Sequence, residues 1–380
     1  MENKIKNNLF FYATSELSQD AFICYLMSFL LKDAKEDSVL QACAKSLLVK
    51  MVPKLAGKNI VLENVERQID HMDVLLTVIS EEEKYKIVVE DKINTSEHSN
   101  QLLRYLDIIH KKYPEFLARG VYYKTGFQSD LSVIEEAGYQ IITRSEMLDL
   151  LAPFKTQTSN QIILDYYEYW SDFEQAAQSF QKKDLSEWDW RCVNAFYDSL
   201  KNSSFPEEKQ VEMGYDYVAN PSGGFDALWI VPYKNQIQIC DISCRLYLQI
   251  EAAGEGGKYT FPICLKLAPD SESSKESWKK VRDTIVYDEW WNYRLSDYHF
   301  KKPSRLGSGG HMTIGVYDAK YEKAEKLKEA LSLAIDEYTR IVSDLQSHLC
   351  YRKHKYFHLS TFNLDTVINT TRQTGGMHKG

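Results

Sequence analysis

The segments HMDVLLTVIS (residues 71–80) and YKIVVEDK (residues 85–92) decide the fold. Both are rich in β-branched and apolar residues, and the charged stretch 80–84 between them turns the chain, so they read as two consecutive strands. Polar chemistry is confined to their ends. Asp73 starts the apolar run of the first strand, and Glu90-Asp91-Lys92 closes the second. Residues two apart on an extended strand share a face, so Glu90 and Lys92 project together. Hairpin pairing sets the start of one strand beside the end of the other, which brings Asp73 close to Glu90 and Lys92.

Upstream, residues 15–32 have helical spacing in Ala21, Phe22, Tyr25, Leu26, Phe29 and Leu30, with Ser15 or Ser18 as the cap. A second helix is expected over 38–55 and an extended segment over 59–69. Downstream, 99–113 is amphipathic and helical and is limited by Pro114. Then follow a strand at 120–123, a helix at 132–137, a strand at 140–143 and a helix at 145–151. This order predicts a mixed α/β layout, with the first strands in a meander and the later ones joined by helical crossovers. A long helix over 161–183 is expected to connect two domains. Beyond residue 185 the pattern changes to an α+β domain with an antiparallel sheet. It has a hairpin signal at 220–224, strands near 236–244, 246–251 and 261–267, and helices at 274–291 and 320–348. The tail from 370 is expected to be flexible.

The 44% hydrophobic content supports a sizeable core. The net charge of -8 does not suit a protein that coats nucleic acid through bulk charge. It is compatible with an enzyme that grips a few phosphates locally. The seven cysteines are odd in number and scattered, and they read as free thiols in a reducing compartment. The N-terminal residues carry no signal-peptide pattern. The longest apolar stretch, 22–31, is shorter than the roughly 20 residues that span a bilayer. A soluble, cytoplasmic protein is expected.

Two carboxylates and an ammonium at one sheet edge suit phosphodiester hydrolysis. Hard oxygen ligands hold Mg²⁺ or Mn²⁺, the ion lowers the pKa of bound water, and a lysine stabilises charge on the reacting phosphate. Asp73, Glu90 and Lys92, in this order and strand context, resemble the PD-(D/E)XK nuclease superfamily. Gln101 and Tyr105 form the Q-x-x-x-Y pattern that resembles the extra motif of its recombination-repair exonuclease branch. Glu16 resembles the upstream acidic residue of many members. The resemblance covers about residues 1–150. It implies a restriction-endonuclease-like αβββαβ core with a mixed central sheet. It also implies Glu16, Asp73 and Glu90 as metal ligands, Lys92 acting on the water, and Gln101 and Tyr105 in the site. The motif departs from the family pattern because no proline precedes the aspartate in Ile69-Asp70-His71-Met72-Asp73. Asp70 competes with Asp73, which is preferred because the apolar strand begins just after it. Asp91 should point to the opposite face unless the strand end twists it into the site.

Other features have plainer readings. Residues 96–99 read as a solvated helix start with Ser99 as cap. Cys240 and Cys244 lack zinc-ligand spacing, and the glycine run at 307–310 lacks a P-loop ending and reads as a turn. Basic residues at 279–305 interleave with Trp290, Trp291, Tyr293, Tyr298 and Phe300. They read equally as a nucleic-acid surface or as an ordinary solvated helix and loop. The expected organisation is a nuclease domain (1–160), a connecting helix (161–184), a C-terminal α+β domain that recognises nucleic acid or a partner (185–369), and a flexible tail (370–380). The expected function is a Mg²⁺- or Mn²⁺-dependent nuclease on DNA in preference to RNA, in a bacterial defence role suggested by family analogy. It would be a homodimer if both strands are cut by one site per chain. The alternative is a catalytically silent nuclease fold used for binding nucleic acid or protein.

Overall fold

The structure is a computed structural model that describes residues 7–372, except 82, 98–99, 221–222, 241, 256–257, 271–274 and 308; side chains are described through 349, apart from 255. The chain divides into two compact units, Met1–Ser179 and Phe180–Gly380.

The first unit opens with helices α1 (Glu16–Ser28) and α2 (Ser38–Met51). Strands β1 (Ile60–Ile69), β2 (Met72–Ser80) and β3 (Lys84–Lys92) follow. They pair antiparallel as a meander. Helix α3 (Gln101–Lys112) then leads to β4 (Leu117–Lys124), and α4 (Ser132–Glu136) leads to β5 (Gln140–Thr143). Both crossovers give parallel pairs, so the sheet runs β1-β2-β3-β4-β5 with mixed direction. This is the αβββαβ core expected from the sequence. Helix α5 (Arg144–Leu151) follows, capped by Thr143 and Glu146 in a reciprocal capping box.

The central strands are covered on both faces, which is why they read as nearly continuous apolar runs. Val74, Leu76, Val78, Ile87 and Val89 pack in one core with α1, α2 and α5. Leu75 and Val88 pack in a second core with Leu102, Tyr105 and Ile109 of α3. The last helix of this unit, α6 (Gln161–Gln178), is the segment expected to link two domains. Its Ile163, Tyr166 and Trp170 are instead buried in the core of the first unit, so it belongs to that unit.

The second unit contains α7 (Trp190–Lys201), α8 (Phe205–Lys209), β6 (Val211–Val218), β7 (Phe225–Pro232), β8 (Gln236–Ile239), β9 (Ile242–Glu255), β10 (Lys258–Thr260) and β11 (Ile263–Pro269). Helix α9 (Lys275–Tyr287), β12 (Phe300–Lys301), β13 (Met312–Tyr317) and α10 (Ala324–Arg372) complete it. The sheet is antiparallel, in the order β12-β13-β11-β9-β7-β6, with β8 and β10 paired to β9. The expected hairpin at 220–224 joins β6 to β7, although its Pro221 and Ser222 lie outside the described residues. The helix expected to end at 348 continues to Arg372, so the first three residues of the expected flexible tail are helical; 373–380 lie outside the described residues.

The aromatic residues among the basic cluster are not a stacking surface. Trp290, Trp291, Tyr298 and Phe300 are buried. The Trp290 indole donates to Asp344 (2.9 Å) and that of Trp291 to the Ile314 carbonyl (3.2 Å). Only Tyr293 of that set is exposed. Among the described residues, no helix is long and apolar enough to cross a membrane.

Candidate active site

The site is built where β2 begins and β3 ends. The β1–β2 connection is a two-residue turn, Asp70-His71, closed by the pair Ile69–Met72. Both turn residues have positive φ, +51° and +67°. A primed type I turn requires this, because its twist matches that of the flanking strands. The turn aims the His71 carbonyl at α3, where it accepts a hydrogen bond from the Tyr105 hydroxyl. Asp70 stays in the turn and pairs with Lys112 at 2.7 Å. Asp73 enters the strand two residues after the turn.

The antiparallel register pairs Val74 with Val89, which leaves Asp73 beside the end of β3. There Asp73 Oδ2 accepts the Asp91 backbone N–H at 3.1 Å and lies 4.0 Å from Lys92 Nζ. Lys92 Nζ donates to Glu90 Oε1 at 2.5 Å. Gln101 Nε2 also donates to Glu90 Oε1 (2.8 Å) and contacts the Tyr105 oxygen at 2.5 Å. Tyr105 is thus a strut between the turn and Gln101, and Gln101 fixes Glu90. The structure brings Asp73, Glu90, Lys92, Gln101 and Tyr105 into one connected group on the α3 side of the sheet.

Asp91 projects to the opposite face, as strand alternation requires, and meets α1. Its Oδ2 accepts from Gln19 Nε2 at 3.0 Å. Even so, ligand atoms of Asp20, Asp73 and Asp91 all lie within 4.8 Å of one another. Gln68, itself at φ +55°, donates to Asp20 (3.0 Å) and to Asp73 (3.2 Å) and ties α1 to the start of β2. Glu16 sits differently. Its Oε1 accepts from the Ile93 N–H (3.1 Å) and the Thr95 hydroxyl (2.7 Å) and pins the loop that follows β3. Lys124 Nζ holds the same loop through the Ile93 carbonyl (3.0 Å) and the Thr95 carbonyl (2.6 Å). Gly126 leaves room for the loop: a Cβ there would lie 1.8 Å from the Ile93 carbonyl oxygen. Glu97 accepts the Gln101 N–H at the start of α3 (2.7 Å), while His98 and Ser99, the expected cap, lie outside the described residues.

Crowding of acids shapes the electrostatics. Burial, and behind it the charge on Asp73, raises the Glu90 pKa to about 7. Burial followed by the neighbouring Asp20 pushes Asp91 up to about 10. Asp20 is raised as well, first by burial. Burial opposes the charge on Lys92, but Glu90 and Asp73 outweigh it and hold its pKa above the usual lysine value. Asp20 Oδ1, Glu90 Oε2 and Asp91 Oδ1 are buried with no hydrogen-bond partner among the described residues. Buried carboxylate oxygens without donors need a proton or a cation. Hard oxygen atoms converging from α1, β2 and β3 fit a divalent metal of the Mg²⁺ or Mn²⁺ type.

Sequence reasoning did not single out Asp20, Gln19 or Gln68. The signal for Asp20 was present: it lies four residues after Glu16 and so on the same helical face.

Fold and site together define an α/β protein whose acidic, lysine-bearing centre lies at adjoining strand ends. The family model described as the PD-(D/E)XK nuclease superfamily matches residues 8–209, more than half of the 380 residues. The chain belongs to that superfamily, whose members are usually nucleases and use divalent metals. No curated protein and no solved structure matches the chain.

Proposed function

We propose that the chain is a divalent-metal-dependent nuclease that hydrolyses phosphodiester bonds in DNA. The observation that carries this reading is the convergence of Asp73, Glu90 and Lys92, with Lys92 Nζ 4.0 Å from one carboxylate and 2.5 Å from the other. Asp73 lies in contact with both acidic sets and is the natural shared ligand. Glu90 supplies a second carboxylate on the α3 side, and Asp20 and Asp91 supply two more on the α1 side. Glu16 carries further negative charge at the edge while its hydrogen bonds shape the loop after β3.

A bound Mg²⁺ or Mn²⁺ would neutralise charge on the scissile phosphate and make its bound water more acidic. Lys92 then has two functions. Its ammonium offsets charge that builds on the phosphate oxygens, and it orients a water by hydrogen bonding. Tyr105 and Gln101 act as positioning residues, because the chain His71–Tyr105–Gln101–Glu90 fixes the Glu90 carboxylate relative to the turn. A role in defence against foreign DNA is proposed on family analogy alone.

The test is a cleavage assay on linear, circular and single-stranded DNA and on RNA, with Mg²⁺, Mn²⁺ or EDTA. Metal-dependent cleavage is expected. Lys92→Met, which keeps the buried stem, should lower its rate by about 10²-fold or more while the protein stays folded. Undiminished cleavage by folded Lys92→Met would remove Lys92 from the chemistry. Absence of cleavage on every substrate would favour a silent binding module.

A further inference from the structure

The sheet of the second unit has two unlike faces. One is apolar: Leu228, Ile230, Leu248, Ile250 and Leu265 are fully buried there. The other face of an antiparallel sheet ordinarily goes to water, with long polar side chains extended. Here it forms the floor of a pocket of about 580 Å³. That volume lies in the range of small-molecule sites.

The floor is polar and buried. Gln249 and Lys266 are 6% and 7% exposed. Lys266 Nζ donates to Glu251 Oε1 (2.9 Å) and Thr313 Oγ1 (3.0 Å), and Gln249 Nε2 donates to the same Glu251 oxygen (3.1 Å). An ammonium has three donors and an amide has two donors and an acceptor. Among the described residues, this leaves one Lys266 N–H, one Gln249 N–H and the Gln249 carbonyl oxygen without a partner. Both side chains line the pocket, so these groups are open to a ligand that supplies the complementary donors and acceptors.

The wall is aromatic. Trp229 pairs with Gly214 across β6 and β7, and its indole sits so close that a Cβ on Gly214 would lie 2.4 Å from Nε1. The glycine therefore seats the ring. The Tyr247 hydroxyl is tied to His311 Nδ1 at 2.9 Å. At the rim, the half-exposed Arg245 pairs through Nε with Asp270 at 3.1 Å, and that pair uses only part of its guanidinium donor set. Burial, then the charges of Lys266 and Arg245, holds the His311 imidazole below its ordinary pKa.

A ligand that matches these features is flat and aromatic, offers both donors and acceptors at its edge, and carries an acceptor group for the remaining guanidinium N–H groups of Arg245. A plain hydrocarbon would leave the floor unmatched, whereas a nucleobase supplies a flat face for Trp229 and an edge with both donors and acceptors, and its phosphate supplies acceptors for the planar fork of Arg245. We propose that this pocket binds a nucleotide, with the base against Trp229, its edge on Gln249 and Lys266, and the phosphate toward Arg245. The nucleotide is either free in solution or a residue of a strand turned out of its stack. Binding here does not depend on whether the first unit cleaves.

The test is calorimetric titration of the full chain in EDTA, so that hydrolysis does not interfere. The probes are the individual deoxy- and ribonucleoside monophosphates, the matching nucleosides, and a short single-stranded oligodeoxynucleotide. Saturable binding of at least one probe is expected. Trp229→Ala and Gln249→Leu should each weaken it by about tenfold, the scale of one stacked base. Arg245→Ala changes an exposed side chain and so tests the idea without risk to the core. It should weaken a monophosphate while leaving its nucleoside unchanged. Binding of monophosphates identifies a free nucleotide as the ligand; binding of the oligonucleotide alone, with the same sensitivity to the variants, identifies a strand residue. No binding by any probe overturns the proposal, and so does binding that folded Trp229→Ala, Gln249→Leu and Arg245→Ala leave intact.

Discussion

Replacing Asp91 by asparagine should stabilise the metal-free protein, against the usual outcome of changing a buried residue. Asp91 is fully buried, one of its oxygens has no partner among the described residues, and its pKa is pushed from 3.8 to about 10 by burial and then by Asp20. The folded state therefore retains a proton that the unfolded chain releases. A carboxyl raised in this way costs nothing below pH 3.8, and stability falls as pH rises from there toward about 10. At neutral pH the cost depends on the unfolded value alone, since the folded value lies higher. It is about 1.4 kcal/mol for each of roughly three pH units, an upper bound of about 4 kcal/mol. Asparagine keeps an oxygen for Gln19 and adds an N–H where the acid needs its proton. Recovery of half the bound would raise the melting temperature by about 5 °C for a unit of this size. The assay is thermal melting in EDTA across pH 5 to 9, repeated with Mn²⁺. Wild type should lose stability with rising pH and gain more from Mn²⁺ than the variant, because metal and proton compete for the same oxygens. An Asp91→Asn protein that melts lower than wild type at pH 8 in EDTA, or that keeps the full pH slope, would refute this reasoning.

Two further outcomes concern the supports of the site. Gln101→Leu keeps the side-chain bulk but removes the N–H that holds Glu90 at 2.8 Å, so the cleavage rate should fall about tenfold with little change in melting temperature. An unchanged rate would leave Gln101 without a positioning role. Gly126→Ala places a Cβ against the Ile93 carbonyl, which Lys124 also holds, and the loop must shift. It should cost about 1–3 kcal/mol in denaturant unfolding and reduce cleavage; wild-type stability would show that the loop yields freely.

The sheet of the first unit was legible because its signals are local. The runs at 74–79 and 87–89 are nearly all apolar on both faces, and the turn residues lie between them. The grouping of Asp73, Glu90 and Lys92 followed from strand alternation and one hairpin pairing. Q-x-x-x-Y spacing likewise placed Gln101 and Tyr105 on one helical face, where Gln101 meets Glu90 and Tyr105 meets Gln101. Asp20 was harder to read, because its meeting with Asp91 depends on how α1 crosses the sheet, and no local pattern records that. Asp91 itself obeyed alternation and pointed away, yet the end of the strand lies close enough to α1 for its carboxylate to join the cluster. In the second unit, the tryptophans among basic residues resembled a stacking surface. Their burial is set by partners far along the chain, Asp344 and Ile314, which a local reading does not reach. The pocket over Lys266 was invisible for the same reason, since its lining comes from five strands joined only by the sheet register.

The most direct test is a crystal of the full chain grown with Mn²⁺, with diffraction data collected for the anomalous signal of manganese. The account predicts a peak bound to Asp73 and shared with carboxylates of β3 or α1. A map with no peak at that position in saturating Mn²⁺, or with manganese bound only elsewhere, would contradict it.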